Sequence, residues 1–162
     1  MTKRIVLLQA LASTAPDLTR ILRNLDETTG SWRPNPREWS CYDILVHLVE
    51  VERAYQARLK RVLLENEPKV PAIHPGDSHE ISGSLENLVH TFRYAREETL
   101  VFLQDISPAG WHRAAIHETK GRMTMRFLVQ DLVSHDIEHT NQVVETIQKW
   151  RHQTTQIEVS TD

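Results

Sequence analysis

The stretch Ser40-Cys41-Tyr42-Asp43-Ile44-Leu45-Val46-His47-Leu48-Val49-Glu50-Val51-Glu52-Arg53-Ala54-Tyr55 carries the clearest helical pattern in the chain. Ser40 supplies a hydroxyl for the free amides of a first helical turn. Apolar residues then recur at Ile44, Leu48, Val51, Tyr55, Leu59 and Val62, steps of three and four that put them on one face of a helix. The pattern runs to about Asn66 and stops before Pro68. His47 is the one histidine on this stripe, Glu50 and Glu52 flank it as solvated carboxylates, and Cys41 reads as a small packed side chain in the first turn.

Three more segments share this periodicity. The first carries Ile5, Leu8 and Leu11, is expected to break or tighten at Pro16, and resumes with Leu18, Ile21, Leu22 and Leu25; Thr14 can cap the second piece. The third starts at Ser84 and shows Leu85, Leu88, Phe92, Ala95, Thr99, Phe102 and Ile106 before Ser107-Pro108, with Tyr94 and Arg96 facing outward. The last begins near Thr124, places Leu128, Leu132, His135, His139, Gln142, Val143, Thr146 and Ile147 on one side, and is expected to end about Trp150. With only five glycines and no hairpin dipeptide, the chain reads as an all-α, four-helix domain over 1–150, followed by a polar C-terminal tail, 151–162, that is expected to fray.

Composition narrows the function. At 162 residues the chain suits one core, and 40% hydrophobic with 25% charged residues is ordinary globular usage. No uninterrupted apolar run approaches the roughly 18 residues that span a bilayer, and no signal-peptide core follows Met1-Thr2-Lys3-Arg4, so a cytoplasmic protein without a membrane partner is expected. A formal charge of -3 gives no footprint for nucleic acid. Cys41 is the sole cysteine among nine histidines, which leaves imidazole and carboxylate as the metal-ligating groups.

Two connections are long, 67–83 and 107–123. Loops of that length in a compact domain usually cross the fold or build a site. At about 3.3 Å per residue the first reaches about 55 Å, more than the length of the helix before it, so helices two and three can run parallel. The second holds Trp111, His112, Arg113 and a Lys120-Gly121 turn, consistent with a short strand pair or a fold back over one bundle end.

His135-Asp136-Ile137-Glu138-His139 puts two imidazoles one turn apart, about 5–6 Å between Cβ atoms and near enough to share an ion. Both lie on the face that should be buried, where unpartnered ring nitrogens are costly. If helices two and four pack antiparallel, His47 is about 10 Å from the start of one and His139 about 16 Å from the end of the other, within about one turn in depth. The same three residues also read as hydrogen-bonded core histidines, and spacing alone does not separate the two. His135-x-x-Glu138-His139 fits an inverted zinc-protease pattern, but those enzymes are larger mixed α/β proteins with a distant third ligand, and the paired Glu-x-x-His motifs of a di-iron bundle are missing. Glu138 is either a salt-bridging surface residue or a group that supports or deprotonates at the site. Asp136 points about 100° from His135 and reads as surface or outer-shell. The other histidines, His74, His79, His90, His112, His117 and His152, fall in loops or off the stripes.

Trp39-Ser40, His47-Leu48-x-x-x-Glu52, Gly121-x-Met123-Thr124 and His135-Asp136-x-x-His139-x-x-Gln142, in this order and at these intervals from about Leu7 to Trp150, resemble the DinB/YfiT-like family. The resemblance implies an up-down-down-up four-helix bundle with a long crossover between helices two and three, and a divalent metal ion, zinc or nickel, on His47, His135 and His139. It also implies a homodimer, and a choice of activities. The first is a transferase joining a small-molecule thiol to an electrophilic substrate, with the metal lowering the thiol pKa; the second is a metal-dependent hydrolase. A non-catalytic bundle binding a small ligand or a protein remains the alternative of another class. Arg53, Arg113, Arg122 and Arg126 are the basic residues expected near the site edges.

Overall fold

The computed structural model describes residues 3–73 and 81–159, with side chains through 156. Helix α3 (Cys41–Leu64) starts as the sequence indicates. The Ser40 hydroxyl accepts from the Asp43 amide at 3.1 Å, and the Asp43 carboxylate accepts from the Ser40 amide at 2.8 Å, a reciprocal box that satisfies two first-turn donors. The other bundle helices are α1 (Lys3–Leu22), α4 (Leu85–Gln104) and α5 (Met125–Val159), with one short helix, α2 (Glu27–Ser31), after α1. Ser84 caps α4 by accepting from the Asn87 amide at 3.2 Å.

Three small strands fix the topology. The strand β1 (Lys69–Val70) follows α3 and β2 (Ala114–His117) follows α4, and they pair in parallel, Lys69 beside Ile116 and Val70 beside His117. The C-terminal ends of α3 and α4 therefore lie together, and Arg113 ties them by donating to the Val62 carbonyl at 2.7 Å. The strand β3 (Gly121–Thr124) returns antiparallel to β2 through a left-handed glycine at Gly121, φ 71°, a conformation glycine adopts without strain, and leads directly into α5. At the start of α1, Arg4 donates to the Leu103 carbonyl at the end of α4, 3.1 Å away. The directions are thus up, down, down, up, and α1 and α3 each pack between α4 and α5. The strand pair in the second connection matches expectation; β1 in the first does not, since two residues carry no period to read. Residues 74–80 of that connection, with His74 and His79, lie outside the described residues.

Two expectations about helix ends are corrected. Helix α1 continues through Pro16, and Thr14, expected to cap a second piece, is an internal buried residue instead. Pro16 removes one backbone bond, and in the turn before it the Leu11 carbonyl accepts Nη1 of Arg96 at 3.0 Å. Helix α5 continues past Trp150 to Val159 with residues 151–153 exposed, so the tail prolongs the helix. By length and composition α1 could cross a membrane, but Leu11, Ala15, Leu18 and Leu22 are buried in the bundle.

The core is two apolar clusters. One, around Leu11, Val51, Tyr55, Leu59, Leu103, Leu128 and Leu132, lies toward the sheet; the other, around Leu18, Ile44, Leu48, Leu88, Phe92 and Val143, lies toward the opposite end. Between them runs a polar layer that the sequence reading does not anticipate. Arg96, expected on the outside, is 1% exposed. It donates Nε to Glu52 Oε1 at 3.0 Å, Nη2 to Glu52 Oε2 at 2.6 Å, Nη1 to Asp136 Oδ2 at 2.5 Å and Nη2 to Asp136 Oδ1 at 3.1 Å. Thr99 donates to Glu52 and Thr14 to Asp136. Glu52 and Asp136 are thus buried carboxylates, which corrects the solvated position expected for Glu52 and the surface alternative given for Asp136. Burial pushes the Asp136 carboxyl up from its ordinary value, an effect that Arg96 and Thr14 reverse only in part. For Arg96, burial opposes the charge, and Asp136 and Glu52 outweigh it, holding the guanidinium above its usual range.

Candidate metal centre

Antiparallel packing of α3 against α5 brings His47 to His135 and His139. The Nε2 atoms of His47 and His135 are 3.0 Å apart, and one ring nitrogen from each of the three histidines lies within 4.8 Å of the others. Ring centroids are separated by 5.0 Å for His47 and His135, 4.7 Å for His47 and His139, and 4.4 Å for His135 and His139. Trp39, just before the α3 cap, closes one side, stacked on His139 at 5.8 Å and tilted against His47 at 5.0 Å. Helix α5 runs nine residues past Trp150 to Val159, beyond the level at which His135 and His139 meet His47.

The histidines are chemically unfinished. Gln142 Oε1 accepts from Nδ1 of His139 at 2.8 Å, which leaves Nε2 of that ring with its lone pair free. Among the described residues, Nδ1 of His47 and Nδ1 of His135 are buried with no hydrogen-bond partner. Burial, then the neighbouring His139, lowers His47 to about 4. Burial, then His139 and His47, lowers His135 to about 3. Three imidazoles converging in this way suit a divalent cation of imidazole preference such as zinc or nickel, so the residues present fit a metal.

The triad faces a cavity of about 400 Å³. Val51, Tyr55 and Arg58 of α3, Ala72 and Ile73 after β1, His117, Thr119 and Lys120 of the β2–β3 turn, and Asp131, Ser134 and Glu138 of α5 complete its wall. Glu138 is exposed on this wall, one residue from His139. Tyr55 donates to Asp131 at 2.7 Å, and Lys120 pairs with the same carboxylate at 2.6 Å. Burial, then the Asp131 carboxylate, drives the Tyr55 hydroxyl above its ordinary value. Burial, followed by the charges of Arg58 and Lys120, lowers His117.

Of these wall residues sequence reasoning named only Glu138 as a site candidate; the titratable groups it missed are Tyr55, Arg58, His117, Lys120 and Asp131. Arg58 had a readable signal, because it follows Tyr55 by three and precedes Val62 by four on the α3 stripe; His117 and Lys120 depend on the β1 pairing, which had none. The arginines expected at the site edges lie elsewhere. Arg113 donates to Val62 and Glu65 carbonyls, Arg122 pairs with Glu67, Arg126 lies over Phe127, and Arg53 lines a separate groove with Tyr94. His90, His112 and His152 are exposed as expected. Cys41 is buried, its thiol pushed up by burial to about 11, so it is a packed residue.

These features define a mostly helical four-helix bundle with three histidines converging at a cleft. The profile of the DinB superfamily matches residues 10–143, and the chain belongs to that superfamily. YfiT from Bacillus subtilis, described as a probable metal-dependent hydrolase with an unusual four-helix bundle topology, superposes with a TM-score of 0.82 at 15% identity, over 93% of this chain and 90% of that one. A conserved protein from Enterococcus faecalis gives 0.69 at 12% identity, over 92% and 97%. A DinB-like protein from Bacillus subtilis gives 0.66 at 16%, over 90% and 92%. No protein of curated function matches the sequence significantly. At these identities the likeness is one of fold.

Proposed function

We propose that the protein is a metal-dependent enzyme, with a divalent ion held by His47, His135 and His139, and that it acts as a thiol S-transferase. The observation that carries this reading is the convergence of one ring nitrogen from each of His47, His135 and His139 to within 4.8 Å of one another at the wall of a cleft. Bound there, the ion would supply Lewis acidity that lowers the pKa of a thiol sharing its coordination shell. The chain's own residues do the rest. Gln142 fixes the His139 ring, Trp39 shields two of the rings from water, and the 400 Å³ cavity holds thiol and electrophile together.

Hydrolysis is the second reading, favoured by Glu138. Its carboxylate faces the same cavity and could take a proton from an attacking water. The homodimer implied by the family resemblance and the cytoplasmic location expected from the sequence belong to the same proposal, and light scattering tests the dimer.

Elemental analysis of untagged protein should give about one divalent ion per chain, absent from the His135→Ala variant. Metal-free wild type at neutral pH would overturn the metal reading. With metal present, product formation that requires added thiol supports transfer; turnover indifferent to thiol and reduced in Glu138→Gln supports hydrolysis.

A further inference from the structure

Arg58 is 6% exposed, yet among the described residues no carboxylate pairs with it. Its Nη2 donates to the Pro71 carbonyl at 2.6 Å and its guanidinium lies 4.7 Å from the centre of the Tyr55 ring. A buried guanidinium carries five donors, more than the Pro71 carbonyl and the Tyr55 hydroxyl can take up. The side chain lines the same cavity as the three histidines. Beside it, Nδ1 of His117 is the acceptor for the amides of Thr119 at 3.2 Å and Lys120 at 3.3 Å. The proton of the neutral ring therefore resides on Nε2, which makes that nitrogen a donor. Lys120 adds a second cation, engaged with Asp131. Burying a cation without a counter-charge is costly, and this one, which no described carboxylate pairs, sits where a small molecule can supply that charge.

We propose that the wall formed by Arg58 and His117 is a carboxylate-binding subsite, so that the substrate or cosubstrate is a small molecule bearing a carboxylate, held by Arg58 and His117 while its reacting group faces the three histidines. This deepens the proposed function and rests on it for the word substrate. A planar guanidinium matches a carboxylate with two parallel hydrogen bonds and gives charge-assisted strength that an ester or amide cannot recover. Arg58 also bonds Pro71 beside β1, so the crossover that makes the topology unusual serves to seat this arginine. Arg58 is offered as a specificity-determining residue.

The test is calorimetric titration of succinate, its neutral diamide and inorganic phosphate into wild type, Arg58→Lys and Arg58→Met, each with metal stripped and with zinc restored. Succinate should bind wild type at least about tenfold more tightly than the diamide, in the stripped protein as well. Arg58→Met should abolish that preference, and Arg58→Lys should retain part of it, because lysine keeps charge but loses the bidentate geometry. Phosphate binding more tightly than succinate would replace carboxylate by phosphate as the ligand class and overturn the proposal as stated. So would equal affinity for succinate and diamide in folded wild type, a comparison that needs no variant. Carboxylate selectivity without zinc uptake would leave the subsite standing and sink the metal reading; zinc uptake without selectivity would do the reverse.

Discussion

His135 and Asp136 are neighbours on α5 and belong to opposite kinds of polar cluster. Asp136 joins Arg96, Glu52, Thr14 and Thr99 in a layer where every charged group has its partners within hydrogen-bond distance. His135 joins His47 and His139 in a group with two buried nitrogens that have none. Successive helical residues point about 100° apart, so a single helix carries both, one turned to the interior between two apolar clusters and the other to the cleft. The difference separates a polar group whose charges are all paired from one that keeps buried nitrogens without partners among the described residues.

The largest effect should come from breaking the closed cluster. Arg96→Met leaves Glu52 and Asp136 buried without their cation and should cost about 3–5 kcal/mol in urea unfolding. Replacing Glu52, Arg96 and Asp136 together by apolar residues of similar volume should recover most of that loss. A triple variant as unstable as the single one would contradict the comparison, since it would mean that packing shape, and not uncompensated charge, is at fault.

The open cluster should respond in the other direction. In metal-free protein, His135→Leu removes one buried nitrogen without a partner and one that lies 3.0 Å from His47 Nε2, so stability should stay within about 1 kcal/mol of wild type or rise slightly, while the stabilisation by added zinc expected of wild type disappears. A destabilisation of several kcal/mol would show that the imidazoles already serve the fold unaided.

Acid sharpens the same contrast. The unfolded chain takes up protons on His47 and His135 below their ordinary value of 6.5, whereas the folded rings resist until about 4 and about 3. Metal-free protein should therefore lose stability as pH falls from 6.5 toward 4, with no contribution from these two groups above 6.5. Substituting both by leucine should flatten that part of the profile. The smallest effect is expected for Glu138→Gln, exposed on the cleft wall, whose unfolding free energy should stay within about 0.5 kcal/mol of wild type.

How much of this was legible follows from what periodicity can and cannot encode. The α3 stripe announced its helix, its cap and His47, and the one-turn spacing of His135 and His139 placed both on the buried face of α5. The bundle and the meeting of three histidines were therefore within reach. The closed cluster was hidden by the rule that charge faces water. Arg96 follows Phe92 by four and precedes Thr99 by three, Glu52 follows Leu48 by four, and Asp136 follows Leu132 by four, so all three occupy core rows. One cation and two anions at core positions of three helices were the available signal. Continuity of α1 through Pro16 was out of reach, because it depends on α4 and α5 packing around that turn. The cleft wall was equally hidden, since His117 and Lys120 reach it only through a parallel pairing of two-residue β1 with β2.

Trp39 stacks on His139 and leans on His47, which gives the protein a built-in optical gauge. Indole emission responds to the charge and rigidity of whatever ring lies against it, so filling or protonating the histidine trio should change the fluorescence of this one tryptophan among four. Occupancy can then be followed in real time without a substrate, and a Trp39→Phe chain should go dark to the event while still taking up the ion.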